Sequence, residues 1–176
     1  MKVVLLMVSS VNGKITQGND PHIYSWTSEE DKQIFSTQIE KSNLIVMGSN
    51  TYTAAKSMMK HTPGRRRIIM TRSPEKYASE EKPGMLEFTS ESPKHLINRM
   101  KKNGYAQMLL VGGSIINSLF LEDNLIDEIH LTIEPCIFGK GKNLISESDI
   151  VKKLTLVSIT PLNTRGTLHA VYTVEN

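Results

Sequence analysis

Apolar and polar positions along the chain follow two rhythms, and the change between them divides the sequence. Residues 3–8 (VVLLMV) are continuously apolar, as a strand buried on both faces should be. A loop rich in Gly, Asn and Asp follows over 10–25. A helix is predicted to open at Thr27, where Thr27 and Glu30 form a T-x-x-E capping box. The next strand is 44–47, stopped at Gly48, with a short helix around 51–59. Strands 67–71 and 86–89 are separated by a polar loop through Gly84. Ser92-Pro93 starts a helix with a capping hydroxyl and a proline at its first position, and Gly104 ends it. Residues 108–111 form another buried strand, which Gly112-Gly113 turns into a helix near 115–121. From Asp127 the rhythm shortens. Ile129, Leu131 and Ile133 alternate with His130, Thr132 and Glu134, the period of a strand. Two last strands, near 154–159 and 168–174, are joined by a turn at 161–166. The order β-α-β-α-β-β-α-β-α followed by β-β-β predicts an α/β fold. Its central sheet should be mixed and mostly parallel, with an antiparallel C-terminal edge.

Composition narrows this picture without redirecting it. The 176 residues suit one domain spanning 1–176, and 39% hydrophobic with 22% charged residues is ordinary globular usage. Cys136 is the single cysteine, which fits a reducing cytoplasm, and its reading is a small buried residue, not a nucleophile. No apolar run approaches the roughly 18 residues of a membrane span, and 3–8 is too short for most signal peptides. The expectation is a cytoplasmic protein with a small-molecule partner and no membrane or nucleic-acid role. A net charge of +3 favours anionic ligands only mildly.

Candidate chemistry sits at the strand ends. In open α/β sheets, ligands bind beyond the carboxyl ends of the strands. Three such ends carry small or hydroxyl residues: Gly48-Ser49-Asn50-Thr51, Thr71-Arg72-Ser73 and Gly112-Gly113-Ser114. The glycine pair would let a pyrophosphate approach helix-start amides, and Thr71, Arg72 and Ser73 could hold a second phosphate. Each is also compatible with an ordinary tight turn; the three together point to a ligand. Asp31 is the most informative single residue. With Ile34, Phe35 and Gln38 it occupies one helix face, so a carboxylate shares an apolar surface. It either lines a pocket, with a raised pKa, or sits at the rim near the helix N-terminus.

Together these residues resemble dihydrofolate reductase and its relative, the reductase domain of riboflavin biosynthesis, over nearly the whole chain. Trp26, Asp31 and Phe35 match the tryptophan, acid and phenylalanine of the former's substrate helix. Val46-Met47-Gly48-Ser49-Asn50-Thr51-Tyr52 resembles its next strand and turn, and Pro63-Gly64-Arg65 the segment whose arginine holds folate's carboxylate. Leu110-Val111-Gly112-Gly113-Ser114 resembles the cofactor-contacting double glycine, and Thr132 the threonine beside the catalytic acid. Other segments resemble the riboflavin branch. Ser9-Ser10-Val11-Asn12-Gly13-Lys14-Ile15 is similar to its S-x-D-G-K-I loop, with Asn12 for Asp. The run from Leu125-Ile126-Asp127-Glu128 to Phe138-Gly139-Lys140-Gly141 is similar to its V-D-E … P-x-x-x-G-x-G. Ser49 and Asn117 depart from the dihydrofolate pattern, which has a basic residue and a tyrosine there, and the loop at 13–25 is longer than usual.

The resemblance implies a dihydrofolate-reductase-like three-layer fold and NADPH as cofactor. The leading expectation is reduction of 7,8-dihydrofolate to tetrahydrofolate by hydride transfer, because Asp31, Arg65 and Thr132 occur together. The alternatives are a riboflavin-pathway reductase acting on a ribosylaminopyrimidine phosphate and a non-catalytic nucleotide-binding module. Asp31 and Thr132 are the expected catalytic residues, and Trp26, Ile34, Phe35 and Arg65 the expected substrate contacts. Gly13, Ile15, Gly48, Ser49, Asn50, Thr51, Thr71, Arg72, Ser73, Val111, Gly112, Gly113, Ser114 and Ile115 are the expected cofactor contacts. Apart from Arg65, the Arg65-Arg66-Arg67 run reads as a solvated surface. His130 is expected to face solvent or a neighbouring chain, and the five histidines show no metal-ligand spacing. The strand near 128–135 and the final strands could form a homodimer interface or a free sheet edge.

Overall fold

The structure is a computed structural model that describes every residue except Pro21, Ile23, Tyr24 and Asn176. Part of the predicted loop 10–25 therefore lies outside the described residues. Eight strands form one sheet: β1 (Lys2–Ser10), β2 (Leu44–Gly48), β3 (Arg66–Met70), β4 (Leu86–Thr89), β5 (Gln107–Leu110), β6 (Glu128–Glu134), β7 (Leu154–Pro161) and β8 (Leu168–Val174). Their order is β4-β3-β2-β5-β1-β6-β8-β7. The continuously apolar β1 lies in the interior of the sheet, parallel to β5 on one side and β6 on the other. Pairing is parallel from β4 to β6, and β8 runs antiparallel to both β6 and β7. The mixed sheet and its antiparallel C-terminal edge are those the polarity pattern predicts.

Period-two alternation sends each strand's side chains to two cores. Val3, Leu5, Leu44, Val46, Ile68 and Leu110 pack with Leu96 and Met100 of α3 (Pro93–Lys102) and with Ile116 and Phe120 of α4 (Ser114–Glu122). Val4, Leu6, Ile45, Met47, Ile69 and Leu109 pack with Ile34, Phe35 and Ile39 of α1 (Glu29–Lys41) and Tyr52 of α2 (Ser49–Ala55). Helices thus cover both faces, giving three layers. No helix among the described residues is long and apolar enough to cross a membrane.

Where element ends differ from expectation, a specific hydrogen bond decides. The first helix is capped by Ser28, not Thr27: the Ser28 hydroxyl accepts from the Asp31 amide, and Thr27 Oγ1 is buried with no partner. Ser28 is held in place because its own amide donates to Glu134 Oε1 at 2.7 Å, a contact that no local motif encodes. The short helix predicted over 51–59 is α2, followed by a 3₁₀ turn at Lys56–Met58, and another 3₁₀ segment, Pro74–Glu80, occupies the predicted polar loop. His130 is not turned to solvent. Its Nε2 lies 3.2 Å from Glu128 Oε2 and its Nδ1 is buried, on the sheet face that α1 covers.

Candidate functional site

A cavity of about 1560 Å³ opens along the carboxyl ends of the parallel strands, between α1 on one side and α2 and the start of α4 on the other. Its walls include Met47, Met70 and Val111 from the strand ends, Phe35 and Ile39 from α1, and Met58 after α2. Buried in this largely apolar wall is Asp31, with 7% of its surface exposed. Burial is the main reason its pKa is pushed from 3.8 up to about 6. A hydrogen bond from Thr132 opposes that rise, the charge of Glu134 adds to it, and Lys32 opposes it weakly. Thr132 is itself 1% exposed and stands on β6 behind Asp31, outside the cavity lining. Glu134 is equally enclosed: it accepts from Ser28 N and, at 2.8 Å, from Thr167 Oγ1. The start of α1, with the carboxylate it carries, is therefore fixed from β6.

At the other end of the cavity the sequence-predicted strand ends converge. Gly48, Ser49, Asn50, Thr51, Thr71, Arg72, Val111, Gly113, Ser114, Ile115 and, from the first loop, Ile15 all line it. Gly112 does not line it, and its carbonyl accepts from Gly48 N at 2.8 Å, tying β2 to the double-glycine turn. The peptide bond between Gly112 and Gly113 is cis, and Gly112 has φ +86°. A Cβ at Gly48 would lie 2.8 Å from Ile116 Cγ1, and one at Gly112 2.9 Å from the Met7 sulfur. Gly48 thus allows the end of β2 to approach α4, and Gly112 allows the turn after β5 to approach Met7 of β1. Gly113 caps α4 without a side-chain bond, which leaves that helix's first amides at the cavity edge. Thr71 Oγ1 accepts from Ser73 N, while Ser73 and Gly13 lie off the lining.

The substrate-side residues divide. Phe35 and Arg65 line the cavity, and Ile34 and Trp26 do not. Ile34 packs into the sheet core, and Trp26 meets Phe138 edge-on with ring centroids 5.2 Å apart. The Arg65 guanidinium is committed to the end of α1, donating to Glu40 O at 3.1 Å and to Ser42 O at 3.2 Å. Its neighbour Arg67 is the residue that sequence reading missed. Arg67 is 4% exposed, lines the cavity, and buries Nη1 with no hydrogen-bond partner. Burial, aided by the charge of Arg65, holds its pKa below the ordinary guanidinium value. The signal was the strand period: Arg67 shares its face with Ile69, the face that α1 covers.

The long first loop is stitched to the segment that follows β6. Asn12 Nδ2 donates to Phe138 O at 2.8 Å while Asn12 Oδ1 accepts from Phe138 N at 3.2 Å. Ile15 N donates to Lys142 O, Gly18 N to Lys140 O and Leu144 N to Gly13 O. Gly141 has φ +150°, and a Cβ there would fall 2.0 Å from Thr16 O, so only glycine fits. The described part of this loop is thereby set as one wall of the cavity, through Ile15 and Thr16.

The arrangement offers a buried carboxylate for N–H donors, an unpartnered guanidinium for an anion, and a glycine-rich rim for a second, phosphate-bearing molecule. Comparison with known proteins bears on what these are. The model of the family described as RibD C-terminal domain matches residues 1–168. An uncharacterized Bacillus subtilis protein, YwjB, is 25% identical over 175 residues, covering 97% of each chain. A pyrimidine reductase-like protein of Corynebacterium diphtheriae superposes with a TM-score of 0.79 at 14% identity, over 99% of this chain and 92% of that one. A dihydrofolate reductase of Enterococcus faecalis, complexed with NADP(H) and RAB-propyl, superposes with a TM-score of 0.71 at 18% identity, over 99% of this chain and 97% of that one. These likenesses establish the dihydrofolate-reductase-like fold.

Proposed function

The chain belongs to the RibD C-terminal domain family, and on that premise we propose that it is an NADPH-dependent reductase of the riboflavin-biosynthesis type, acting on a ribosylaminopyrimidine phosphate. The observation that carries this reading is one continuous cavity with Asp31 at one end, the glycine-rich rim at the other and the Arg67 guanidinium in its wall. Asp31 would accept the N–H groups of a heterocycle, and Arg67 would pair with the phosphate, which supplies the partner its Nη1 lacks. NADPH fits the rim, where Gly113 and the first amides of α4 would receive its pyrophosphate and Arg72 with Thr71 its second phosphate; when bound it supplies the hydride. The protein's part is orientation and charge. Phe35 and Ile39 exclude water from the ring, and Asp31, near half-ionised at pH 6, can hold or release a proton at its carboxyl.

The dihydrofolate reading, expected first from the sequence, moves to second place. Family membership supports the riboflavin type, and the Arg65 guanidinium on which dihydrofolate leaned is engaged with α1 carbonyls. What still favours a pterin is the buried Asp31 with Thr132 against it. NADPH oxidation followed by absorbance, with each substrate offered separately to the purified protein, tests both. Turnover of the pyrimidine alone is expected; turnover of dihydrofolate alone would reverse the order, and turnover of neither would refute both.

We further propose that two copies of the chain associate through β7. All eight residues of this edge strand are exposed, including Leu156, Val157 and Ile159 at 51–60%, which leaves apolar surface and unpaired backbone together. Light scattering that returned the mass of one chain at micromolar concentration would dismiss the dimer.

A further inference from the structure

Behind Asp31 the sheet carries a row of polar side chains where its neighbours are apolar. Glu128, His130, Thr132 and Glu134 alternate along β6 on the face beneath α1, next to Val4, Leu6 and Val8 of β1. Directly opposite Thr132 on β8 is His169. Its Nδ1 lies 3.4 Å from Thr132 Oγ1, and its ring meets that of His130 edge-on with centroids 5.9 Å apart. Buried polar groups need assigned partners, and a hydroxyl has one proton to give. Thr132 gives it to Asp31. An ionised carboxylate can only accept, so the Thr132 oxygen is left to accept, and among the described residues the side-chain nitrogen within reach of it is His169 Nδ1, at 3.4 Å.

We propose that His169 is a positioning residue: its Nδ1–H fixes the Thr132 hydroxyl so that the hydroxyl proton points at the Asp31 carboxylate. The chain His169 Nδ1–H, Thr132 Oγ1–H, Asp31 Oδ is then oriented in one direction whenever Asp31 is ionised. When Asp31 takes up a proton, the same three groups hydrogen-bond in the reverse order, and His169 presents a bare Nδ1. Each direction uses a neutral His169, the form favoured by burial first and then by the charge of His130, which hold its pKa below the ordinary imidazole value. The other charged groups around the chain are Lys32 and Glu134 beside Asp31, and Glu128, whose Oε2 lies 3.2 Å from His130 Nε2. The significance of the assignment rests on the reading of Asp31 as the substrate-binding carboxylate, but the assignment itself concerns groups of the free protein.

Nitrogen-15 NMR of uniformly labelled protein decides it without substrate. At pH 8 the His169 ring, identified by its loss in His169→Asn, is expected in the Nδ1–H form, and in the Nε2–H form in Thr132→Val. Carbon-13 titration of the Asp31 carboxyl is expected to show a midpoint raised by about half a pH unit or more in His169→Leu. It should return toward wild type in His169→Asn, whose amide nitrogen stands where Nδ1 stood. An Nε2–H tautomer in the wild-type protein at pH 8, or an unmoved Asp31 midpoint in His169→Leu, overturns the proposal. The tautomer is read on the unmodified protein, so a variant that fails to fold does not remove the test. Failure of the NADPH assay would fall on the proposed reaction and leave this result standing.

Discussion

Replacing Asp31 with asparagine should make the protein more stable at neutral pH while disabling its site. The carboxyl is nearly fully buried, and its pKa rises from 3.8 to about 6 on folding. Between those two values the folded state binds the proton more tightly than the unfolded chain does. Stability is therefore lost as pH rises through that window, and the loss is complete above it. A rise from 3.8 to about 6 corresponds to about 3 kcal/mol, or roughly a hundredfold in the folding constant. Asparagine keeps the shape, its carbonyl can still accept from Thr132, and it carries no charge to repel Glu134. Urea unfolding of both proteins at pH 4, 6 and 8 reads the difference directly. The variant is expected to match wild type near pH 4 and to exceed it by up to about 3 kcal/mol at pH 8, with turnover strongly reduced and NADPH affinity unchanged. A stability difference that does not grow between pH 4 and pH 7 would refute the argument, since the burial cost of the charge would then not exist.

Three further substitutions test other parts of the structure. Arg67→Met should leave the free protein at least as stable, because Nη1 has no partner to lose. Yet KM for a phosphate-bearing substrate should rise about tenfold or more, the worth of one charge-assisted hydrogen bond; an unchanged KM would remove Arg67 from the site. Gly141→Ala places a methyl group 2.0 Å from Thr16 O at φ +150°, and should destabilise by at least about 2 kcal/mol in thermal or urea melts; an unaltered melt would mean that the loop is not docked as described. Asn12→Asp, which installs the residue usual in the riboflavin branch, removes the donor to Phe138 O and should cost about 1 kcal/mol in the same measurements. Faster amide exchange at Phe138 should accompany it, and equal stability would show that the two-point contact contributes nothing.

What could be read in advance and what could not follow from the range of the forces involved. Strand order along the chain, the two cores and the strand ends that face the cavity were legible, because they follow from period-two and period-3.6 burial and from glycine at tight turns. Residues 86–89 and 168–174 were placed as strands at their observed bounds. The start of α1 was misplaced by one cap because two hydroxyls, Thr27 and Ser28, compete locally. The winner is chosen by Glu134, over a hundred residues away in sequence. Arg67 was hidden for the same reason. Three consecutive arginines look alike in composition, but the strand and its neighbours assign them different partners. Arg65 goes to α1 carbonyls and Arg66 to Glu87, which leaves Arg67 turned inward with a bare Nη1. The alternation of β6 was legible, and with it Thr132 beside the acid, but His130 was expected to face solvent or a neighbouring chain, as is usual on a half-buried strand. Here that half lies on the sheet face that carries α1: Thr132 and Glu134 are buried, Glu128 and His130 half-buried, and their partners lie on β1, on α1 and at β8. Such a row is expensive for a fold that needs only a core. Its terminus at Asp31, in the wall of the cavity, gives it a use that stability alone does not supply.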